Sequence, residues 1–223
     1  MPIIRGKKAL AYFSHIPKTG GSAVEHYVRR AHPGSLGFIN QAHGSDPDLK
    51  EWSDSSPQHI PGEVAGRFFP SGFFDVCFAT TRHPVDRFLS AFRYQKHLKH
   101  SIPESTSLEE FVGGLTRADI DTPGRSDNHF LAAHHLLLPA SEPRVFKLEQ
   151  GLDLLQEWLD TEVFGGITDK IIDVRNSFAQ HAPDQPRDLV ASPAVIEKIE
   201  NLYEADFKRF GYEPGDHRAI VRR

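Results

Sequence analysis

The chain has a single cysteine, Cys77, among 223 residues. One thiol cannot close an internal disulfide or build a thiolate metal cluster, so a disulfide scaffold of the secreted kind is excluded. Positive charge is not in excess either, since 26 Lys and Arg face 30 Asp and Glu for a formal net charge of −4. No global basic field draws the chain to nucleic acid or to an anionic membrane, and any anion it binds must meet a local positive site. Long apolar runs are missing too. The stretch ending in Leu136, Leu137 and Leu138 falls far below the ~18 residues of a membrane span. The opening MPIIRGKKALAYF has too short an apolar run behind its basic residues for a secretory signal. These absences lead to the expectation of a soluble, cytoplasmic protein with no stable membrane insertion and no nucleic-acid partner.

What is present describes an ordinary folded domain. The hydrophobic fraction is 39%, and with glycine added it reaches the roughly 45–50% of globular proteins. The 17 glycines and 16 prolines stay well under the ~25–30% of low-complexity sequence. The length suits one domain over residues 1–223.

Residues 9–16 (ALAYFSHI) make a short apolar and aromatic run between Lys8 and Pro17, which predicts a buried strand. PKTGGS follows at once. From Ser22 onward, Ala23, Val24, Tyr27, Val28 and Ala31 trace one stripe of a helix that stops near His32-Pro33-Gly34. Residues 33–63 show no sustained period, and so long a loop is a natural place for substrate contacts. Residues 73–82 (FFDVCFATTR) predict a second strand, covered on both faces. Pro84 stands where a first helical residue belongs, and Val85, Phe88, Leu89 and Phe92 fall at i, i+3, i+4 and i+7 of a helix running to about Lys99. Helices are further expected over 108–115, 127–138 and 151–159, a third strand over 144–148, and a closing helix from Ser192-Pro193 to Gly211. Strands alternating with helices give an α/β fold, a central mostly parallel sheet flanked by helices.

Chemistry concentrates in two segments. In HIPKTGGS, from His15 to Ser22, a strand breaks into glycines and re-enters a helix. Such a turn presents backbone N–H groups at the positive end of a helix dipole, an anion cradle. Lys18 adds a full charge, and Thr19 and Ser22 add hydroxyl donors. The lysine precedes Gly20 and Gly21, so the loop is not G-x-x-x-x-G-K-[ST]. The second segment is RHPVDRFLSAF, where Arg82 ends a strand and Ser90 lies about two helical turns on. Both project toward the carboxyl edge of the sheet, where open α/β folds bind ligands. Alone they read as a surface charge and a helix-face serine; paired with the first loop they suit a second phosphate. Arg87 serves that same phosphate or lies on the surface beside Asp86.

Together these segments resemble the sulfotransferases that use 3′-phosphoadenosine 5′-phosphosulfate. HIPKTGGS looks like that family's 5′-phosphosulfate loop, in particular in carbohydrate O-sulfotransferases. RHPVDRFLSAF looks like its R-x-P-x-x-R-x-x-S-x-[FY] motif for the 3′-phosphate, and YEADFKRFGY carries a weaker likeness toward the end of the chain. The resemblance implies a P-loop-like nucleotide-binding fold with 3′-phosphoadenosine 5′-phosphosulfate as donor and no metal. It implies Lys18, Thr19, Gly20, Gly21 and Ser22 around the 5′ group, Arg82 and Ser90 on the 3′-phosphate, and a small-molecule or carbohydrate acceptor.

A base that takes a hydroxyl proton near neutral pH is best supplied by histidine, and the chain has 13. His15 abuts the loop and is expected to position it. His59 in QHIPGEV is the expected base, because similar carbohydrate sulfotransferases carry G-H-x-P there, with Gln58 here in the glycine's place. His43 in QAHGSD is the alternative. His129 and His134-His135 suggest a metal only if a carboxylate or thiol shares their face, and none is at ligand spacing in sequence. Two other functions fit less well. A magnesium-dependent nucleotide kinase or triphosphatase needs an acidic ligand at a strand's carboxyl end, and Asp75 stands at the wrong end. A non-catalytic nucleotide- or glycan-binding module would bind the same groups without transferring anything.

Overall fold

The computed structural model describes residues 2–37, 55–139, 141–173, 189–218 and 220–221. His43 lies outside them. Ile3–Arg5 (β1) and Leu10–Ser14 (β2) pair antiparallel, with Ile3 opposite Tyr12. Leu36–Gly37 (β3) extends that edge. On the other side of β2, Val76–Thr81 (β4) and then Arg144–Lys147 (β5) join in parallel, so the order is β3-β1-β2-β4-β5. The three expected strands are all present and shorter than their apolar runs. β1 and β3 were not expected, being too short for alternation to show.

The apolar run in β2 is continuous because the strand is covered on both faces. Phe13 and Phe78 stack at 4.6 Å and pack with Phe146 against Gly21–Ala31 (α1), whose Ala23, Val24, Tyr27 and Val28 are buried. Tyr12 and Ala79 meet Gly62–Phe68 (α2) and residues 131–138 on the other face. Pro84–His97 (α3) starts on its proline and buries Val85, Phe88, Leu89 and Phe92. It packs in a further cluster with Leu108–Gly113 (α4), Arg117–Asp121 (α5) and the later helices. Asp153–Trp158 (α6) continues as a wider π-type turn to Phe164 and completes the α1 layer.

Two expected helices differ. Pro193–Leu202 (α7) and Glu204–Phe210 (α8) are separate, broken at Tyr203, and Gly211 ends the second at φ 62° as a left-handed cap. Residues 127–138 are not a helix. They hold 3₁₀ turns at Arg125–Asn128 and Ala133–Leu136 with irregular backbone between. The segment is almost wholly buried, so its apolar composition resembles that of a helix. Its backbone groups, however, are taken by side chains from elsewhere, as buried irregular chain requires. Val190–Ala191 (β6) pairs in parallel with Ile220–Val221 (β7). The carboxyl ends of β2, β4 and β5 point the same way and deliver residues 15–21, 82–83 and 148–151 to one edge.

Candidate functional site

The loop after β2 has the form its sequence predicts. Gly20 sits at φ 89° as the left-handed residue that opens α1, a conformation glycine adopts without strain. A Cβ on Gly21 would fall 2.2 Å from Nε2 of His15, so the second glycine lets the loop close over that ring. His15 donates from Nδ1 to Glu25 at 2.6 Å, and Gln58 donates to the same carboxylate oxygen at 2.8 Å. Burial lowers the His15 imidazole below its usual range although Glu25 opposes this, and His15 supports the loop from beneath. Thr19 is fully buried, its hydroxyl 2.7 Å from the Ile16 carbonyl and 2.8 Å from the Thr80 hydroxyl, which ties the loop to β4. Among the described residues the N–H groups of Gly21 and Ser22 donate to no backbone carbonyl, as the first turn of a helix leaves them.

Lys18 holds a left-handed backbone at φ 69°, uncommon for a side chain with a Cβ. Its ammonium lies 3.9 Å over the face of Tyr94, a cation–π contact. Burial, reinforced by Arg82 and Arg93, lowers the Lys18 amine to about 8. Arg82 follows β4 directly, and burial lowers it too, with Asp86 and Glu149 opposing and Arg218 adding. Both acids are otherwise engaged. Glu149 accepts from His83 N–H at 2.7 Å and from the Tyr212 hydroxyl at 3.0 Å, and Asp86 accepts from Arg218 N–H. Lys18, Arg82, Arg93 and Arg218 thus gather on the sheet edge of a chain whose net charge is negative. Ser90 is half-buried on α3, one turn before Arg93.

Arg87 is neither a phosphate ligand nor a surface charge. It is 1% exposed and donates to the carbonyls of His129 at 3.2 Å and Leu131 at 2.8 Å, with Asp206 at 3.9 Å. Buried arginines need such partners, and this one fixes the path of the segment that carries His129.

His59 lies on a 3₁₀ turn, Pro57–His59, and is buried. Its Nδ1 is 2.8 Å from Asp127 Oδ2, and its ring stands edge-on between His15 at 5.2 Å and His129 at 5.1 Å. His129 donates from Nδ1 to the Ser126 carbonyl at 2.9 Å and stacks on Tyr94 at 5.0 Å, the ring that carries Lys18 on its face. Burial, with Lys18 nearby, pushes His129 well below the usual imidazole range although Asp127 opposes this. Asp127, Tyr94 and Arg93 were missed in the sequence, and His129 was weighed there only as a metal ligand. Arg93 and Tyr94 had a signal, since they fall three and four residues after Ser90 on one helix face; Asp127 sits where a helix was expected and had none.

In three dimensions carboxylates do share a face with the other histidines, contrary to the spacing in sequence. Asp121 Oδ1 is 3.2 Å from His135 Nε2 and forms a group with His134, as Asp127 does with His59 and His129. Asp75 is at the amino end of β4, where its carboxylate accepts from Leu10 N–H at 2.7 Å. No helix among the described residues is long and apolar enough to cross a membrane.

Residues 3–213 match the model of the sulfotransferase family. No curated protein and no solved structure matches the chain.

Proposed function

The chain belongs to the sulfotransferase family, and from that premise we propose that it moves a sulfuryl group from 3′-phosphoadenosine 5′-phosphosulfate to an acceptor hydroxyl, that of a carbohydrate. Lys18 stabilises charge developing on the bridging oxygen of the leaving phosphate, and the N–H groups of Thr19, Gly20, Gly21 and Ser22 hold the 5′ group. Arg82 and Ser90 hold the 3′-phosphate, with Arg93 as a further cation beside them. His59 takes the acceptor proton. The whole chain acts as one domain, in line with a family match that spans nearly all of it.

The observation that carries this reading is the placing of Lys18 between the two halves of the site. Arg82 and Arg93 lie close enough on one side to depress its amine, while Tyr94 beneath it stacks on His129, which meets His59. Anion holders and proton acceptors so arranged suit in-line transfer of an anionic group to a neutral hydroxyl. A magnesium nucleotide kinase is less well supported, because Asp75 is at the wrong strand end and Glu149, after β5, is engaged by His83 and Tyr212.

Donor labelled with ³⁵S, incubated with a panel of mono- and oligosaccharides, tests the proposal. Label should move to a sugar, and Lys18→Ala should lower kcat by about 10²–10³ while weakening donor binding less. Failure to label any acceptor, together with turnover of magnesium ATP, would replace it with the kinase reading.

A further inference from the structure

His59 is held by an elaborate device. Asp127 Oδ2 faces its Nδ1 at 2.8 Å and also accepts from the Ser56 hydroxyl at 3.1 Å, while Oδ1 accepts from Ser56 N–H at 2.6 Å. A carboxylate in this setting only accepts, so the shared proton belongs to Nδ1 of the imidazole and the lone pair is left on Nε2. Burial alone would raise the Asp127 carboxyl, but its hydrogen bonds with His59 and with Ser56 N–H hold it well below the ordinary carboxylate range. Asn128 donates from its side chain to the His59 carbonyl at 2.9 Å and accepts from Gly124 N–H at 2.7 Å.

The backbone that presents Asp127 is itself unusual. Ser126, Asp127 and Asn128 lie at φ 50°, 53° and 60°, three successive non-glycine residues in the left-handed region. Such a run is unfavourable at each residue and persists only where its surroundings impose it. Here Gln95 and His129 both donate to the Ser126 carbonyl, at 3.0 and 2.9 Å, and Arg87 holds the carbonyls of His129 and Leu131 just beyond the turn.

We propose that Asp127 is the positioning residue for His59: it fixes the ring with Nδ1 protonated and Nε2 free toward the acceptor, and the strained turn at 126–128 exists to aim it. The inference rests on the reading of His59 as the base. As the acceptor oxygen forms its bond to sulfur, the hydroxyl proton passes to His59 Nε2. The bond from sulfur to the donor's bridging phosphate oxygen breaks, and that oxygen leaves with the electron pair as 3′,5′-adenosine diphosphate. Asp127 stays ionised beside the imidazolium, which later releases the proton to solvent. The alternative use of these atoms is a cation site, since His59, Asp127 and His129 offer ligand atoms within 4.8 Å of one another. The dyad is favoured because both Nδ1 atoms are engaged, one with Asp127 and one with the Ser126 carbonyl.

Two readouts on full-length protein decide it. Asp127→Asn is isosteric, but its amide nitrogen would face His59 and favour the opposite tautomer. Long-range ¹H–¹⁵N correlation spectra of the histidines should show His59 with its proton on Nδ1 in the wild type and on Nε2 in the variant. This readout needs no activity, so it stands or falls separately from the sulfotransferase reading. In the labelled-donor assay, Asp127→Asn should lower kcat by about 10²-fold or more with 3′,5′-adenosine diphosphate affinity nearly unchanged. Asp127→Glu should recover part of the rate, and Asp127→Asn in a His59→Ala background should cost nothing further. A wild-type His59 with its proton on Nε2, a full multiplicative loss in the double variant, or a chelator-sensitive wild-type rate restored by zinc would overturn the proposal. If His59→Ala transfers at the wild-type rate, the base reading fails by itself, whatever the spectra show.

Discussion

Lys18 is costly where it stands. It combines a left-handed backbone, a buried ammonium and two neighbouring arginines, and its amine is lowered from 10.5 to about 8. The unfolded chain therefore binds more protons than the folded one between pH 8 and 10.5, and stability rises with pH across that window. Below about 8 the full cost is present, on the order of 3 kcal/mol at 1.36 kcal/mol per pH unit. A bound anion would offset it, as expected of a group arranged for a ligand rather than for the fold. Lys18→Met should accordingly be inactive and yet more stable, by about 1–3 kcal/mol at pH 7, less what the contact with Tyr94 contributes. Urea unfolding at pH 7 and pH 10 checks both sign and window: the advantage should shrink at the higher pH. A variant less stable than wild type at both values would mean that the ammonium is well compensated already.

At the scale of elements, the segment from Arg125 to Leu136 matters most, and it was the least legible. The strands, α1 and α3 could be read because each satisfies its own backbone and needs only a period to bury one face. Gly20, Gly21, Lys18 and Arg82 could be named as site candidates because they sit at the ends of such elements, and Ser90, in the middle of α3, from its spacing after Arg82. Residues 125–136 have no period to offer. Their shape is dictated from α3, α7 and α8: Arg87 holds two carbonyls, the Tyr203 hydroxyl holds that of Phe130 at 2.5 Å, and Asp206 accepts from Ala133 N–H, His134 N–H and His134 Nδ1. Long-range polar contacts leave no local signature, so Asp127 was hidden, while His59 was named from the family resemblance and not from its turn. Tyr203→Phe removes one hydroxyl and leaves the buried Phe130 carbonyl without it, which should cost about 1–3 kcal/mol. Denaturant titration should show a lower midpoint with an unchanged slope. It should also show reduced transfer activity at temperatures where the protein is fully folded, because this contact supports the turn that carries Asp127; full activity there would separate the clamp from the site.

On the scale of the molecule, the sheet brings its chemistry to one edge. The parallel strands β2, β4 and β5 end together, and their carboxyl ends deliver the lysine-bearing loop, Arg82 and Glu149. A chain with net charge −4 thereby presents a local cluster of cations, which directs binding by placement and not by overall field. We propose that this edge is built for two phosphates on one nucleotide. Isothermal calorimetry of 3′,5′-adenosine diphosphate against 5′-adenosine monophosphate, on wild type and on Arg82→Ala, tests it most directly. The wild type should favour the bisphosphate roughly tenfold or more, as charge-assisted contacts of about 1.5–3 kcal/mol each predict, and the preference should largely vanish in the variant. Equal affinities in the wild type, or tighter binding of ATP with magnesium than of either nucleotide, would contradict the account.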